Sequence, residues 1–194
     1  MADTDIQSAL MIAALVAVPA GLLIFVIKRR LSRSVDAQLR NISQYVLHDF
    51  LLPDGNNGEI HLEYAMLTTS GIVVLDNKDV EGNVFGSDAM DEWTVIDGNN
   101  RFTFQNPQRG LLDRIAAVKA LAPDVPVEGF IAFSDRGRFS KGQPSYVIFF
   151  ETLIEQLKES APGQSTAVVE AFLPTWDKLL DAATVKGVDK ALVR

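Results

Sequence analysis

Two carboxylates and a lysine carry the chemistry this chain could do. Glu63 lies in the run Glu59–Leu67, while Asp76 and Lys78 close the run Ile72–Lys78, with Thr68-Thr-Ser-Gly71 between them. Both runs read as strands, and the short polar link between them reads as a hairpin turn. A two-residue turn at Thr69-Ser70 and a four-residue loop give the same register, with paired positions that sum to 139. Glu63 then faces Asp76, and His61 faces Lys78. Side chains alternate along a strand, so Asp76 and Lys78 share a face. Two carboxylates directly opposite have Cβ atoms about 4.5–5.5 Å apart, and the pair is destabilising unless something neutralises it. A divalent cation would do so, because Mg²⁺ takes one or two carboxylates and completes its shell with waters and phosphate oxygens. Lys78 could offset part of the charge, polarise a phosphate or help deprotonate a metal-bound water. The same pattern also fits a sheet that emerges into solvent after Leu75, with Asp76 and Lys78 as a surface ion pair.

The elements that must position these groups can be read along the chain. Val35, Leu39, Ile42 and Val46 fall at helical spacing, which predicts a helix over Ser34–Tyr45. Phe50–Leu52 reads as a short strand, and Pro53-Asp-Gly-Asn-Asn-Gly58 as a turn. Val80–Phe85, Trp93–Ile96 and Arg101–Gln105 read as weaker strands. Asn106-Pro107 marks a helix start, with Asn as N-cap and Pro in the first turn. Leu111, Ile115, Val118 and Leu121 carry that helix onward. Val127–Phe133 and Tyr146–Phe150 are apolar strands that bracket the polar loop Ser134–Ser145. Glu151–Glu159 and Thr166–Ala183 read as helices, the second kinked or split at Pro174. Together these predict an α/β (α+β) fold, a mixed sheet with helical cover.

Upstream, Ile6–Ile27 is a charge-free run of 22 residues, followed by Lys28, Arg29, Arg30 and Arg33. As a helix it would be about 33 Å long, enough to span a bilayer core of about 30 Å. The flanking cations belong on the cytoplasmic side. The reading is a single-pass membrane protein of bacterial inner-membrane type, held in the lipid bilayer through residues 6–27, with its N-terminus outside and its soluble domain cytoplasmic. The expected division is a tail at 1–5, the span at 6–27, a basic juxtamembrane segment at 28–33, an α/β domain at 34–160 and a helical extension at 161–194.

The whole chain carries a net charge of −7. Residues 34–194 hold 23 of the 25 acids and 14 of the 18 bases, a net of −9. Such a domain does not attract nucleic acid in bulk and would need a local basic groove or metal ions. The absence of Cys excludes thiolate zinc sites, iron–sulfur clusters and Cys nucleophiles, and two His exclude a three-His metal site.

From Glu59 to Ser87, and on through Trp93 to Asn106-Pro107, the chain resembles the nuclease-related domain family, over roughly residues 36 to 133. That family is placed among the restriction-endonuclease-like folds, with an acid in the first strand and an acid-x-Lys in the next. Glu63 stands where the family usually has Asp, and Asp76 where it usually has Glu; Gly71, Lys78, Gly82 and Trp93 fall in step. Tyr64 replaces the usual His, Gly110 stands at the step of a usual Gln with Gln108 nearby, and the family's helical Gly-Glu pair is not seen between Ser34 and Val46. The resemblance implies a restriction-endonuclease-like core and Mg²⁺- or Mn²⁺-dependent hydrolysis of a phosphodiester. Glu63 and Asp76 would hold the metal, and Lys78 would orient or activate the water. Arg101, Arg109, Arg114 and Lys119, with Arg136, Arg138 and Lys141, are the clustered bases that could contact nucleic-acid phosphates.

Two functions fit. The chain is a membrane-anchored nuclease, or it is a membrane-tethered binding or scaffold module that keeps the fold without the activity. Other features carry no chemistry. Asp54–Gly58 lacks the Gly-Lys-Ser/Thr ending of a phosphate loop. Val169, Phe172, Leu173, Trp176 and Leu180 form a helical stripe suited to a core.

Overall fold

A computed structural model describes residues 35–55, 57–159 and 166–185. The apolar run Ile6–Ile27 and the basic segment 28–33 lie outside the described residues. No helix among those described is long and apolar enough to cross a membrane. By internal contacts the chain divides into Met1–Gln38 and Leu39–Arg194. Of the first unit only residues 35–38 are described, and they are helical.

The second unit is a mixed α/β arrangement. Its strands are β1 (Val46–Pro53), β2 (Glu59–Thr68), β3 (Gly71–Lys78), β4 (Gly82–Phe85), β5 (Glu92–Asp97), β6 (Asn100–Gln105), β7 (Val127–Phe133), β8 (Gly137–Arg138), β9 (Val147–Phe149) and β10 (Thr184–Val185). Its helices are α1 (Pro107–Leu121), α2 (Phe150–Glu159) and α3 (Thr166–Ala182). A six-stranded sheet has the order β10-β1-β2-β3-β7-β9, and a four-stranded sheet has the order β6-β5-β4-β8. Both are mixed: β1, β2 and β3 run antiparallel, while β7 lies parallel to β3, β9 to β7 and β8 to β4.

Strand β3 is the centre of the larger sheet, buried from Gly71 to Asp76. This explains why Ile72–Leu75 is continuously apolar rather than alternating. The β2–β3 turn is held by Thr68, whose Oγ1 donates to the Gly71 carbonyl at 2.9 Å and accepts from Ser70 N at 3.2 Å. Gly71 has φ +124°, and a Cβ there would collide with the Pro126 carbonyl oxygen. Helix α1 begins where its signals place it. The Asn106 side chain accepts from Gln108 N at 3.0 Å and Pro107 opens the first turn. Gln108, Leu111, Ile115 and Val118 form its buried stripe.

The core is one cluster, running from Phe50 and Leu62 through Val74, Trp93 and Phe133 to Trp176, Leu179 and Leu180. Helix α3 therefore supplies core side chains, continues through Pro174, and leads to β10, which pairs with β1. The segment 161–194, expected to be an extension, thus contributes its described part to the main hydrophobic core.

Several boundaries differ from the sequence reading. The helix expected over Ser34–Tyr45 ends by residue 40, because Ile42 N and Ser43 N both close onto the Leu39 carbonyl at 3.0 Å. Ser43 Oγ then donates to the Leu67 carbonyl at 2.7 Å and ties the chain to β2. Val46, counted as helical from its spacing, opens an eight-residue strand instead. Phe150 starts α2 rather than ending β9. The two-residue strands β8 and β10 are too short to leave a periodic signal.

Candidate functional site

The β2–β3 ladder has the register read from the turn, with Thr68 opposite Gly71 and Tyr64 opposite Leu75. It stops there, one pair before Glu63 and Asp76. Beyond Leu75, β3 stays paired only on its other side, where Asp76, Asn77 and Lys78 face Ile131, Ala132 and Phe133 of parallel β7. The Glu63 carboxylate closes the gap, as its Oε2 accepts from Asn77 N at 2.8 Å. His61 does not face Lys78. It is opposite Leu51 of β1, and its Nε2 lies 2.6 Å from Asp49 Oδ1.

Asp76 is 4% exposed. Its counter-ion comes from α1, where Arg114 Nη1 lies 3.0 Å from Asp76 Oδ2. Arg114 Nε donates to the His61 carbonyl at 2.6 Å, so one guanidinium ties α1 to both β2 and β3. Arg114 sits next to Ile115, at the margin of the helix's buried stripe.

Glu63 senses its surroundings. Burial holds the Glu63 carboxyl above the usual carboxylate range, the nearby Asp76 charge adds to that rise, and the Asn77 N–H, Lys78 and His61 act against it. Lys78 is half-buried and its ammonium makes no ion pair or hydrogen bond among the described residues. Glu63 Oε1 and Asp76 Oδ1 likewise accept no hydrogen bond among the described residues. Two carboxylates and an ammonium with no ion pair among the described residues therefore lie near the carboxyl end of β3.

This donor set fits a divalent cation such as Mg²⁺ or Mn²⁺, with one oxygen offered by each carboxylate. Among the described residues no group of three His, Asp or Glu could hold a metal ion. A bound ion would complete its shell with water or substrate oxygens.

The candidate phosphate-binding bases separate into two sets. Arg109 pairs with Asp91 at 2.6 Å, Arg114 pairs with Asp76, and Arg136 pairs with Asp79 and Glu81. Arg101, Lys119, Arg138 and Lys141 make no ion pair among the described residues. Arg138, on β8, is opposite Asn83 of β4, and Arg101 is at the other edge of the same sheet, opposite Ile96. Arg138 follows the turn after β7, whose Ser134 N donates to the Lys78 carbonyl at 3.2 Å.

The model of the nuclease-related domain family matches residues 28–134, more than half of the chain. The chain belongs to that family. The match spans β1 to β7 and includes Glu63, Asp76, Lys78 and Arg114. No curated protein and no solved structure matches it.

Two features escaped the sequence reading. Asp49 holds the β1 position opposite Glu63, between the pairs His48–Tyr64 and Phe50–Leu62, with φ +53° in mid-strand. Asp tolerates that conformation better than most residues, but no residue type announces it. The Arg114–Asp76 pair is the other, because a helix face gives no sign of the carboxylate it meets across a sheet. The cleft near the β2–β3 turn, about 370 Å³ and lined by Ser43, Tyr45, Thr68, Ser70 and Leu157, includes none of the site residues.

Proposed function

We propose that the chain is a membrane-anchored, divalent-metal-dependent nuclease that hydrolyses phosphodiesters of nucleic acid. The observation that carries this reading is the juxtaposition of Glu63 and Asp76, each with a carboxylate oxygen uncommitted among the described residues, near Lys78, whose ammonium makes no ion pair among them. Family membership supports the reaction class. Glu63 and Asp76 would hold the ion, which when bound would supply Lewis-acid chemistry at the phosphate. Lys78 stabilises charge that develops on the phosphoryl oxygens. The Asn77 N–H fixes one Glu63 oxygen, and the other would be the one offered to the ion. Arg138 and Lys141 contact phosphates flanking the scissile one. Residues 6–27 anchor the chain in the bilayer, with the catalytic domain on the side of the basic segment 28–33.

A second reading has one observation in its favour. The Asp76–Arg114 pair satisfies the acid without a metal, as a membrane-tethered binding or scaffold module would require.

The test uses the full chain in detergent. Calorimetric titration with Mn²⁺ should show one site that is lost in Asp76→Asn. Nucleic-acid cleavage in Mg²⁺ should fall about 100-fold in Lys78→Met, the scale of losing one transition-state charge donor, with Mn²⁺ affinity unchanged. A folded wild-type chain that takes up no Mn²⁺ at millimolar concentration would refute the nuclease reading and favour the scaffold.

A further inference from the structure

Arg114 meets Asp76 in a way that bears on how any cation enters. Four ionisable groups converge where β2, β3 and α1 come together. Glu63 and Asp76 are the acids and Lys78 and Arg114 the bases, and His61, itself paired with Asp49, also acts on Glu63. The two bases are held unevenly. Lys78 makes no direct bond to either acid, whereas Arg114 bonds directly to the Asp76 carboxylate, whose side chain is only 5% exposed. The guanidinium is also held at a second point, through Nε to the main-chain carbonyl of His61. Nη1 can leave Asp76 with the Nε bond kept by a tilt of the whole planar group through its side-chain torsions.

We infer that Arg114 is a built-in counter-ion that competes with the divalent cation for Asp76 and, once displaced, stays tethered through His61 and turns its freed N–H groups to a phosphate oxygen of the substrate. The inference rests on the metal-site reading above and adds its regulation. A divalent ion on Asp76 Oδ1, beside a guanidinium held on Oδ2, meets a repulsion that displacement relieves. A planar fork with five donors suits a phosphate oxygen as well as a carboxylate. Metal and substrate then favour each other's binding, because the phosphate gives the displaced guanidinium a new partner.

The test compares Mn²⁺ affinity of the full chain by calorimetry in wild type, Arg114→Gln and Arg114→Lys, all in detergent. Removing the charge should tighten Mn²⁺ binding about tenfold or more. Arg114→Lys keeps the charge and should stay within about threefold of wild type. Equal or weaker binding in Arg114→Gln overturns the counter-ion role while leaving the metal site standing. Binding by neither wild type nor Arg114→Gln overturns both. A second measurement needs no variant that might fold poorly: in the wild-type chain, the Arg114 guanidinium ¹⁵N resonances should move as Mg²⁺ is titrated to saturation. Resonances that stay fixed would overturn the displacement.

Discussion

The Asp76–Arg114 pair gives a prediction that can be worked through in energy. Its charged atoms are 3.0 Å apart, and the side chains are 5% and 23% exposed. At an effective dielectric constant of about 20 the Coulomb attraction is about 5 kcal/mol. Desolvation of the nearly buried Asp76 takes back much of that, which leaves a coupling of about 2 kcal/mol, in the range of a hydrogen bond between charged groups. The single changes should be unequal. Asp76→Asn leaves Arg114 partly in water and still bonded to the His61 carbonyl, a loss of about 2 kcal/mol. Arg114→Gln leaves a buried carboxylate without its counter-ion, a loss of about 3–4 kcal/mol. The double variant should resemble the worse single change rather than the sum. Denaturant unfolding of the four proteins in metal-free buffer measures this directly, and Asp76→Asn should lower Tm by about 4–8 °C. Because the pair is shielded from solvent, the coupling should persist in 0.5 M salt, on the order of several times physiological ionic strength. Additivity within about 0.5 kcal/mol would show that the two charges do not interact and would remove the basis for the counter-ion role.

Other outcomes follow from the same geometry. Burial raises the Glu63 carboxyl above its ordinary range, so protons compete with metal to a higher pH than for a free glutamate; Mn²⁺ affinity, read by calorimetry, should climb as pH rises through that shifted titration and then level off. The sign for metal-free stability is opposite, because an acid whose pKa is raised on folding favours the native state below its unfolded pKa. That contribution is lost as pH rises through the folded value, and Glu63→Gln should remove this slope from Tm against pH. Trp176→Ala removes a side chain 1% exposed in the core cluster and should destabilise the domain by about 3–5 kcal/mol in denaturant unfolding; a neutral effect would mean that α3 is not part of the core. Gly71→Ala sets a side chain at φ +124° against the Pro126 carbonyl oxygen and should cost at least about 2 kcal/mol by the same assay, whereas wild-type stability would refute the tight turn.

The parts of the fold legible in the sequence are those set by local physics. The β2–β3 register follows from one short turn, and the α1 start follows from Asn106 and Pro107. The run Ile72–Leu75 reads as an apolar core strand, and the structure buries it. What was not legible depends on partners distant in sequence. Helix spacing at Val46 was overridden once Ser43 bonded to Leu67, 24 residues away. Arg114 meets Asp76 across 38 residues, and nothing in its neighbourhood distinguishes it from Arg109, which pairs with Asp91 on the surface. Glu63 and Asp76 were placed in one row by counting, but that the ladder ends before them follows from the Glu63 carboxylate taking the Asn77 N–H.

The row that crosses β1, β2 and β3 at Asp49, Glu63 and Asp76 argues that this end of the sheet was built for more than stability. Each member works against the sheet it sits in. Asp49 adopts φ +53° in mid-strand, a conformation that costs an ordinary residue about 1–2 kcal/mol. Glu63 is held above its usual range by burial and by a neighbouring acid. Asp76 interrupts an apolar strand with a buried charge that needs a residue from α1 to balance it. Apolar residues at these positions, or one more ladder pair between 63 and 76, would give a more stable sheet, because a buried ion pair seldom outperforms well-packed hydrophobic side chains. Local rules broken together in one place, without a gain in packing, are the mark of a site. The three residues come from three strands: the β1–β2 register brackets Asp49 and Glu63 without pairing them, and the β2–β3 register, which ends at Tyr64 and Leu75, reaches Glu63 and Asp76 one step further on. A surface ion pair at a strand end would need neither register. Asp76, 4% exposed and bonded by Arg114 from α1, is not such a pair.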